Sequence, residues 1–418
     1  MTTAQALERA RNTESSASTS TEAVDDAAAE KTGSRPAGQG SGQQSPAGQG
    51  SARQRDPLLD NAKFVLIMLV FIGHAIEPAV KTGAGDSIYF FIYLFHMPAF
   101  VLICGYLAKS FDGSPKRVEK LITTLAVPYF LFWGIYALQS LSTGRNLPDG
   151  PLDPLWVTWF LMALFVWRLS VPLWKRIRWP IPIAIAISLA AGLVSTGDVL
   201  NVSRILGLLP FFVTGLFLKP EHIEFLRKRW VQAIAVVGTL ATMVVTITHL
   251  EKLSREWVYW RESLLDRHFD VFPYGLPARI VFLVLAFCLT GAVLSLLPRR
   301  RTWFTKLGEL TLYVYLLHGL VIRVGGQFGW YEITDQALGG YGALAANIAM
   351  AVLFTFVLCT PLVRWATRWA VEPQASWLLR QRPRRPADEP GPVGRPGAGY
   401  VAEAVGEREA VSGPARGR

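Results

Sequence analysis

Cysteine is scarce in this sequence. Only Cys104, Cys288 and Cys359 occur among its 418 residues, and no two of them form a CxxC pair. All three lie inside apolar runs, where neither a disulfide framework nor a zinc site is expected. We expect these cysteines to pack between helices as small apolar side chains.

Several motifs of soluble enzymes are also missing. The sequence has no GxxxxGK[ST] phosphate loop, no HExxH metal motif and no GxSxG nucleophile elbow. No two histidines stand four residues apart on one predicted helix, so we expect no bound metal. These absences argue against P-loop, zinc-peptidase and α/β-hydrolase chemistry.

Charge is sparse along most of the chain, since 17% of residues are charged and 51% are hydrophobic. Several stretches approach twenty residues with almost no charge, and about twenty residues is the length that a helix needs to cross a bilayer. No soluble core accounts for so many of them. The sequence therefore predicts an all-α fold, a polytopic membrane helix bundle of ten transmembrane helices, at about residues 58–78, 88–108, 119–139, 154–174, 180–196, 203–218, 231–249, 277–297, 308–325 and 342–363.

Basic residues are concentrated in every second predicted loop. Even-numbered loops are rich in lysine and arginine, whereas the first, third and fifth have one basic residue each and the ninth has none. By the positive-inside rule, this pattern predicts an inner (cytoplasmic) membrane protein with both termini in the cytoplasm. We interpret the net charge of +11 as topology first and not as nucleic-acid binding. The same positive charge can also hold a polyanionic ligand at the cytoplasmic face.

Composition divides the chain into three regions. Residues 1–55 are rich in Ala, Ser, Gly, Gln and Thr, and residues 371–418 are rich in Pro, Arg, Gly and Ala. Neither region can bury much apolar surface, so we predict disordered cytoplasmic tails. Residues 56–370 are the predicted transmembrane domain. Because residues 1–55 contain no apolar h-region of a signal peptide, the first apolar run is expected to direct insertion.

Two features mark the predicted outer side. Trp156 and Trp159 begin the fourth apolar segment, and we interpret them as part of an aromatic belt at the interface. The seventh loop, residues 250–276, is long and contains four basic and five acidic residues. It fits the charge rule poorly, and we expect an external amphipathic element near the entrance of a site.

Ionisable residues within the apolar runs are the candidates for chemistry, because they are costly in lipid. Lys63 and His74 are separated by ten residues, which places them on one helical face about 16 Å apart along the axis. Glu77 follows three residues later and can orient the imidazole and raise its basicity. The structural alternatives are an interfacial lysine and a histidine satisfied by a neighbouring helix.

Four further polar residues lie on other segments. His96 precedes Pro98, which bends a helix near the imidazole, and Tyr106 stands beside Gly105, where backbones can approach closely. By the helix rise, His74 and His96 both fall in the outer half, where one cavity can hold them. Arg204 stands at the outer mouth of the sixth segment and His318 near the middle of the ninth. For both of these residues, a binding role and a structural role remain open.

The order of these motifs resembles the membrane acyltransferase family called acyltransferase-3, and most closely its fucose 4-O-acetylase branch. The resemblance covers residues 56–363. The matching motifs are Lys63 with Gly73-His74 ten residues on, FHMP at 95–98, LWxxWFL at 155–161, RILGLLPFFVTG at 204–215 and LGELTLYVYLLHG at 307–319.

Two positions depart from the family pattern. The basic position is often arginine in the family and is Lys63 here, so a bidentate phosphate contact is not available at that site. Cys104 stands where the family commonly has serine before Gly-Tyr, which weakens any role for a hydroxyl there.

The resemblance implies an enzyme that transfers an acyl group, typically acetyl, from cytoplasmic acyl-CoA to a hydroxyl of a cell-envelope or secreted carbohydrate. Acetyl-CoA is then a co-substrate, and no permanently bound cofactor is expected. In this scheme His74 is general base or acyl acceptor, Glu77 orients it, and Lys63 contacts the acyl donor. The residues expected to line the site are His96, Tyr106, Arg204 and His318.

Two other function classes fit parts of the sequence. A transporter or flippase of a polar or lipid-linked substrate would also use membrane histidines and proline-kinked helices, but no internal repeat of the helices is detectable. A membrane scaffold leaves the three membrane histidines without a role. Consumption of acyl-CoA by the purified protein separates the enzyme from both alternatives.

Overall fold

The computed structural model describes residues 56–79, 82–194, 199–249, 255–264 and 270–374. All regular structure within these residues is helical. The predicted disorder of the first tail, and of the second tail beyond residue 374, lies outside the described residues.

Fifteen α-helices follow one another along the described part of the chain. They are α1 (Pro57–Ile76), α2 (Gly83–Leu107), α3 (Pro115–Leu121), α4 (Val127–Ser142), α5 (Trp159–Trp174), α6 (Pro180–Ala191), α7 (Val202–Gly207), α8 (Leu209–Phe217), α9 (Pro220–Phe225), α10 (Arg229–His249), α11 (Glu256–Tyr259), α12 (Leu276–Leu296), α13 (Thr311–Gln327), α14 (Trp330–Leu358) and α15 (Pro361–Val371).

Local sequence explains where several of these helices begin and bend. The Asp56 carboxylate accepts a hydrogen bond from the backbone N–H of Leu58 at 2.9 Å and caps α1, and the Thr82 hydroxyl caps α2 in the same way. A π-helical turn, Ile122–Ala126, joins α3 to α4 directly before Pro128. Because proline has no N–H to donate, the chain accommodates it with a wider turn.

The predicted architecture, a helical membrane bundle, is confirmed. By length and composition, seven helical runs of the described chain are suited to crossing a membrane: 57–76, 83–110, 115–142, 156–174, 229–249, 276–296 and 330–358. The other three predicted spans correspond to the shorter helices α6, α7 with α8, and α13. The chain is therefore a helical, multi-pass membrane protein, and the count of ten stays a prediction.

Two glycines let α2 and α8 cross in close contact. A Cβ atom on Gly105 would overlap the backbone carbonyl of Phe212, and one on Gly215 would overlap the carbonyl of Leu102. Small residues at a helix crossing allow the backbones themselves to pack. The helix α7, which directly precedes α8, packs against α5 and α6.

A buried asparagine ties the start of α1 to the loop before α13. The Asn61 amide donates to the carbonyls of Pro298 and Arg300 at 2.8 and 3.1 Å, and its oxygen accepts from the hydroxyls of Thr302 and Thr305 at 3.0 and 2.7 Å. All four hydrogen-bonding positions of the amide are therefore used. The loop is held against α1, so α1 and α13 lie side by side.

The loops fall into two sets at opposite ends of the bundle. The loops 108–114, 175–179, 218–228 and 297–310 form one end, and we call it the basic face because lysine and arginine dominate it. The segments 77–79, 143–155, 255–264 and 328–329 lie at the other end, the opposite face. The cytoplasmic position of the basic face remains a prediction.

Candidate active site

A cavity of about 370 Å³ lies among the helix ends of the opposite face. Three histidines from three different helices line it: His74 from α1, His96 from α2 and His318 from α13. Its other ionisable lining residues include Glu77, Arg204, Arg261 and Glu262. Much of the remaining wall is aromatic, from Tyr89, Tyr93, Trp156, Trp159, Phe160, Tyr259, Trp260 and Tyr315.

His74 stands in the last turn of α1 and is held by side chains. Its Nδ1 lies 3.1 Å from the Tyr93 hydroxyl and 3.5 Å from Oε2 of Glu77. Its ring packs edge-on against Trp156, with centroids 5.5 Å apart. The side chain of His74 is 20% exposed, so the imidazole is restrained on one side and open on the other.

Glu77 follows directly after the membrane-spanning part of α1. Burial raises the pKa of its carboxyl, but the hydrogen bond and charge of His74 outweigh that effect, with smaller contributions from Tyr89 and Arg255. The resulting pKa lies below the usual value, so Glu77 is ionised at neutral pH. An ionised carboxylate beside Nδ1 favours the tautomer whose proton is on Nδ1.

Backbone carbonyls fix the tautomers of the other two histidines. Nδ1 of His96 lies 2.7 Å from the carbonyl oxygen of Ile92, and Nδ1 of His318 lies 2.6 Å from that of Tyr315. A carbonyl can only accept, so each Nδ1 donates a proton and each Nε2 is left as an acceptor. Nε2 of His318 is buried without a protein partner among the described residues, although it belongs to the cavity wall.

The two tryptophans expected at the membrane interface face inward instead. Trp156 has a positive φ of 49°, which is uncommon for a bulky residue, and its ring packs against both His74 and His318. The Arg323 guanidinium covers Trp156 at 5.1 Å from the ring centroid. Trp159 lies under the guanidinium of Arg204 at 5.0 Å. The belt interpretation was wrong because composition does not show which way a helix end is turned.

Lys63 and Tyr106 do not line this cavity. Lys63 pairs with Asp60 at 2.8 Å near the basic face, about 16 Å from His74 along α1. Tyr106 lies at the basic-face end of α2, where the Lys109 ammonium covers its ring at 4.0 Å. Gly105, which suggested a place for Tyr106 in the site, packs against α8 instead. The placement of Tyr106 is thus corrected, and Lys63 can meet only a ligand at the basic face.

A second cavity, of about 310 Å³, opens at the basic face. Arg117, Lys120 and Arg168 are the basic residues in its wall. Nε of Arg168 is buried without a hydrogen-bond partner among the described atoms. Lys63, near the start of α1, belongs to the same end of the bundle. An anionic group is the natural ligand of such a cavity.

Sequence reasoning missed the tyrosines of α2 and their contacts with the seventh loop. The Tyr89 and Tyr259 hydroxyls are 2.6 Å apart, and Arg255 pairs with Asp86. Tyr89 and Tyr93 are four residues apart, and Tyr93 is three before His96, so the shared helical face was readable from the sequence. Residues 255–264 reach the cavity, which agrees with an element placed near its entrance.

No group of three or more His, Cys, Asp or Glu side chains suited to a metal occurs among the described residues. The absence of a metal from the mechanism stays a prediction. The chemistry of the cavity rests on its histidines, carboxylates and guanidiniums, which are suited to proton transfer and to binding a polar ligand.

Comparison with known proteins identifies the class to which this membrane bundle and cavity belong. Residues 56–364 match the acyltransferase-3 family model, which describes an acyltransferase domain. The match covers well over half of the chain, so the chain belongs to this family and is an acyltransferase.

Two curated relatives are both called nodulation protein NolL. The protein from Mesorhizobium japonicum is 26% identical over 334 residues, which cover 72% of this chain and 85% of the relative. The one from Sinorhizobium fredii is 24% identical over 342 residues, covering 72% of this chain and 89% of the relative. No solved structure matches the chain.

Proposed function

We propose that the protein is a membrane O-acyltransferase that moves an acyl group, typically acetyl, from acyl-CoA at the basic face to a carbohydrate hydroxyl in the cavity of the opposite face. In this proposal the basic face is cytoplasmic, and the acceptor is a cell-envelope or secreted glycan. The main supporting observation is the meeting of His74, its Glu77 partner and two further histidines at one cavity.

The cavity wall suits a carbohydrate. Planar rings such as Trp156, Trp159 and Tyr259 offer apolar faces to the C–H side of a sugar ring. The histidines and charged groups between them offer hydrogen-bonding partners to the hydroxyls. Such a mixture of aromatic wall and few polar groups is typical of small-molecule sites.

His74 is the proposed general base. With a proton on Nδ1 toward Glu77, the lone pair of Nε2 accepts the proton of the acceptor hydroxyl. The hydroxyl oxygen attacks the thioester carbonyl carbon, the new C–O bond forms and the C–S bond breaks. The proton then passes from His74 to the departing thiolate, and free CoA and the O-acyl sugar result. An acyl-histidine intermediate on the same nitrogen is the alternative route.

The cavity at the basic face is the proposed site for the CoA phosphates. Arg117, Lys120 and Arg168 provide the charge, and Arg can pair with two phosphate oxygens at once. Lys63 lies on α1 near the same basic face. In this proposal it contacts the acyl donor and orients it toward His74. The long pantetheine arm then spans the distance between the two faces of the bundle.

Release of CoA thiol by the detergent-purified protein tests this function. Wild type is expected to release thiol from acetyl-CoA in the presence of a glycan panel, and His74→Ala to lose at least about 100-fold of the rate. His249→Ala is the matched control, because His249 is an exposed histidine at the end of α10.

The outcomes separate the hypotheses. Thiol release by wild type and His249→Ala, but not by His74→Ala, supports both the enzyme and the assigned base. Equal release by all three retains the enzyme and removes His74 from the mechanism. No release by any of them contradicts acyl-CoA as the donor in the proposed reaction.

A further inference from the structure

We propose that the acceptor carbohydrate carries an anionic group, a carboxylate or a phosphate, and that Arg204 binds this group. The inference rests on the proposed function and names the substrate class more closely. It follows from the surroundings of one guanidinium in the wall of the histidine cavity.

Arg204 belongs to the short helix α7, which directly precedes α8 and packs against α5 and α6. Its guanidinium lies over the ring of Trp159, with 5.0 Å to the centroid, and lines the cavity. No carboxylate among the residues that the structure describes forms an ion pair with Arg204. An arginine within a membrane bundle is costly unless a partner compensates its charge.

The charges around Arg204 increase the need for an anion. The largest charge effects on it come from Arg261, which has the same sign, and from the hydroxyls of Tyr93, Tyr259 and Tyr89. The wall also holds two acids: Glu77 is engaged by His74, and Glu262 follows Arg261 in the seventh loop. Because neither acid forms an ion pair with Arg204, its guanidinium is suited to a negatively charged ligand.

Tyr93 connects this anion site to the proposed base. Its hydroxyl contacts Nδ1 of His74 at 3.1 Å, and its ring packs against His96 with centroids 4.6 Å apart. The same tyrosine interacts with the charge of Arg204. An anionic group held at Arg204 thus places the rest of a sugar along Tyr93, with a hydroxyl facing the histidines.

Binding of simple sugars measures the preference without any turnover. Methyl glucuronide, glucose 1-phosphate and methyl glucoside are titrated, by ligand-observed NMR, against the full-length protein in nanodiscs. At least one charged sugar is expected to bind about ten-fold or more tightly than methyl glucoside, since a charge-assisted hydrogen bond replaces a neutral one. The tighter of the two charged sugars shows whether the group is a carboxylate or a phosphate.

Three variants test the assignment to Arg204. Arg204→Gln is expected to remove the preference, and Arg204→Lys to retain part of it, because lysine keeps the charge but loses the planar fork. Arg364→Gln, on the exposed face of α15, is expected to behave as wild type. The proposal is overturned if wild type shows no preference, if Arg204→Gln keeps it, or if Arg364→Gln also loses it.

This measurement is independent of the acyltransferase test. If wild type releases no thiol but still prefers charged sugars, the proposed reaction is contradicted and the anion site is retained. Thiol release without any preference for charged sugars overturns only the inference about the acceptor.

Discussion

At the scale of single residues, the three histidines of the cavity differ in what holds them. His96 and His318 donate to carbonyls of their own helices, so their tautomers are set by the backbone. His74 has no such contact and depends on Tyr93 and Glu77. All three rings keep Nε2 as an acceptor, but only His74 has a carboxylate beside Nδ1, which stabilises the imidazolium that a general base forms.

Glu77→Gln tests the orienting role of the carboxylate. We expect thiol release to fall by roughly 10- to 100-fold, because the amide can present its N–H to Nδ1 and favour the wrong tautomer. The pKa of Glu77 in the folded protein is below the usual value for a glutamate. Its carboxylate is therefore charged at every pH above this lowered pKa and loses its charge only as the pH falls through the lowered pKa. Titration of Glu77 itself should therefore not contribute to the pH dependence of the wild-type rate between about pH 8 and about pH 5.

Glu332→Gln is the control for this comparison, since Glu332 is an exposed acid in the first turn of α14. The rate of thiol release by Glu332→Gln should match that of wild type at every pH tested. If wild type and Glu77→Gln release thiol at nearly equal rates, the carboxylate has no role in the proposed mechanism.

At the scale of secondary-structure elements, the sequence predicted helices better than their contacts. The apolar runs located α1, α2 and α12 to within a few residues, because length and hydropathy decide a membrane span. The same runs do not show which faces meet, so Trp156 was assigned to the membrane interface and Tyr106 to the site. The seventh loop was the hardest case, since residues 255–264 are placed by long-range contacts such as Tyr89 with Tyr259.

The crossing of α2 and α8 gives a prediction about stability. Gly105→Ala and Gly215→Ala each add a Cβ that overlaps a backbone carbonyl of the other helix. We expect each to destabilise the folded protein by about 1–3 kcal/mol or more, because backbone cannot move aside as a side chain can. Thermal unfolding in detergent, followed by fluorescence-detected size exclusion, measures the change.

Gly238→Ala in α10 is the matched control, because a Cβ at that position meets no atom within 4 Å. It should leave the melting temperature unchanged or raise it slightly, since alanine favours the helix. Equal melting temperatures for Gly105→Ala and Gly238→Ala would contradict the close crossing.

At the scale of the whole molecule, the two cavities lie at opposite ends of one bundle. The histidine cavity takes its wall from helices that are far apart in the sequence, α1, α2, α5, α7 and α13, and from the seventh loop. Helix arithmetic grouped His74 with His96 by depth, and the resemblance to the family added Arg204 and His318. In the structure, the packing of α1 against α13, which the Asn61 contacts support, brings His318 to His74.

The orientation of the bundle is tested by labelling single cysteines. Arg145→Cys lies on the opposite face and Lys228→Cys on the basic face, and both positions are exposed. In intact cells, a membrane-impermeant maleimide should label Arg145→Cys alone, because basic loops stay on the cytoplasmic side. Wild type reports the background from the natural cysteines. The reverse labelling pattern would invert the topology and place the acyl-donor cavity outside the cell.

The hydrogen bonds of Asn61 have a consequence for how such proteins diversify. They join the first membrane helix to the loop that precedes α13, although the two are separated by more than half of the chain. Recombination that replaces one of these segments with that of a distant relative would separate an asparagine from its four partners. The two segments that hold His74 and His318 must therefore be inherited together, and a functional chimera should exchange both or neither.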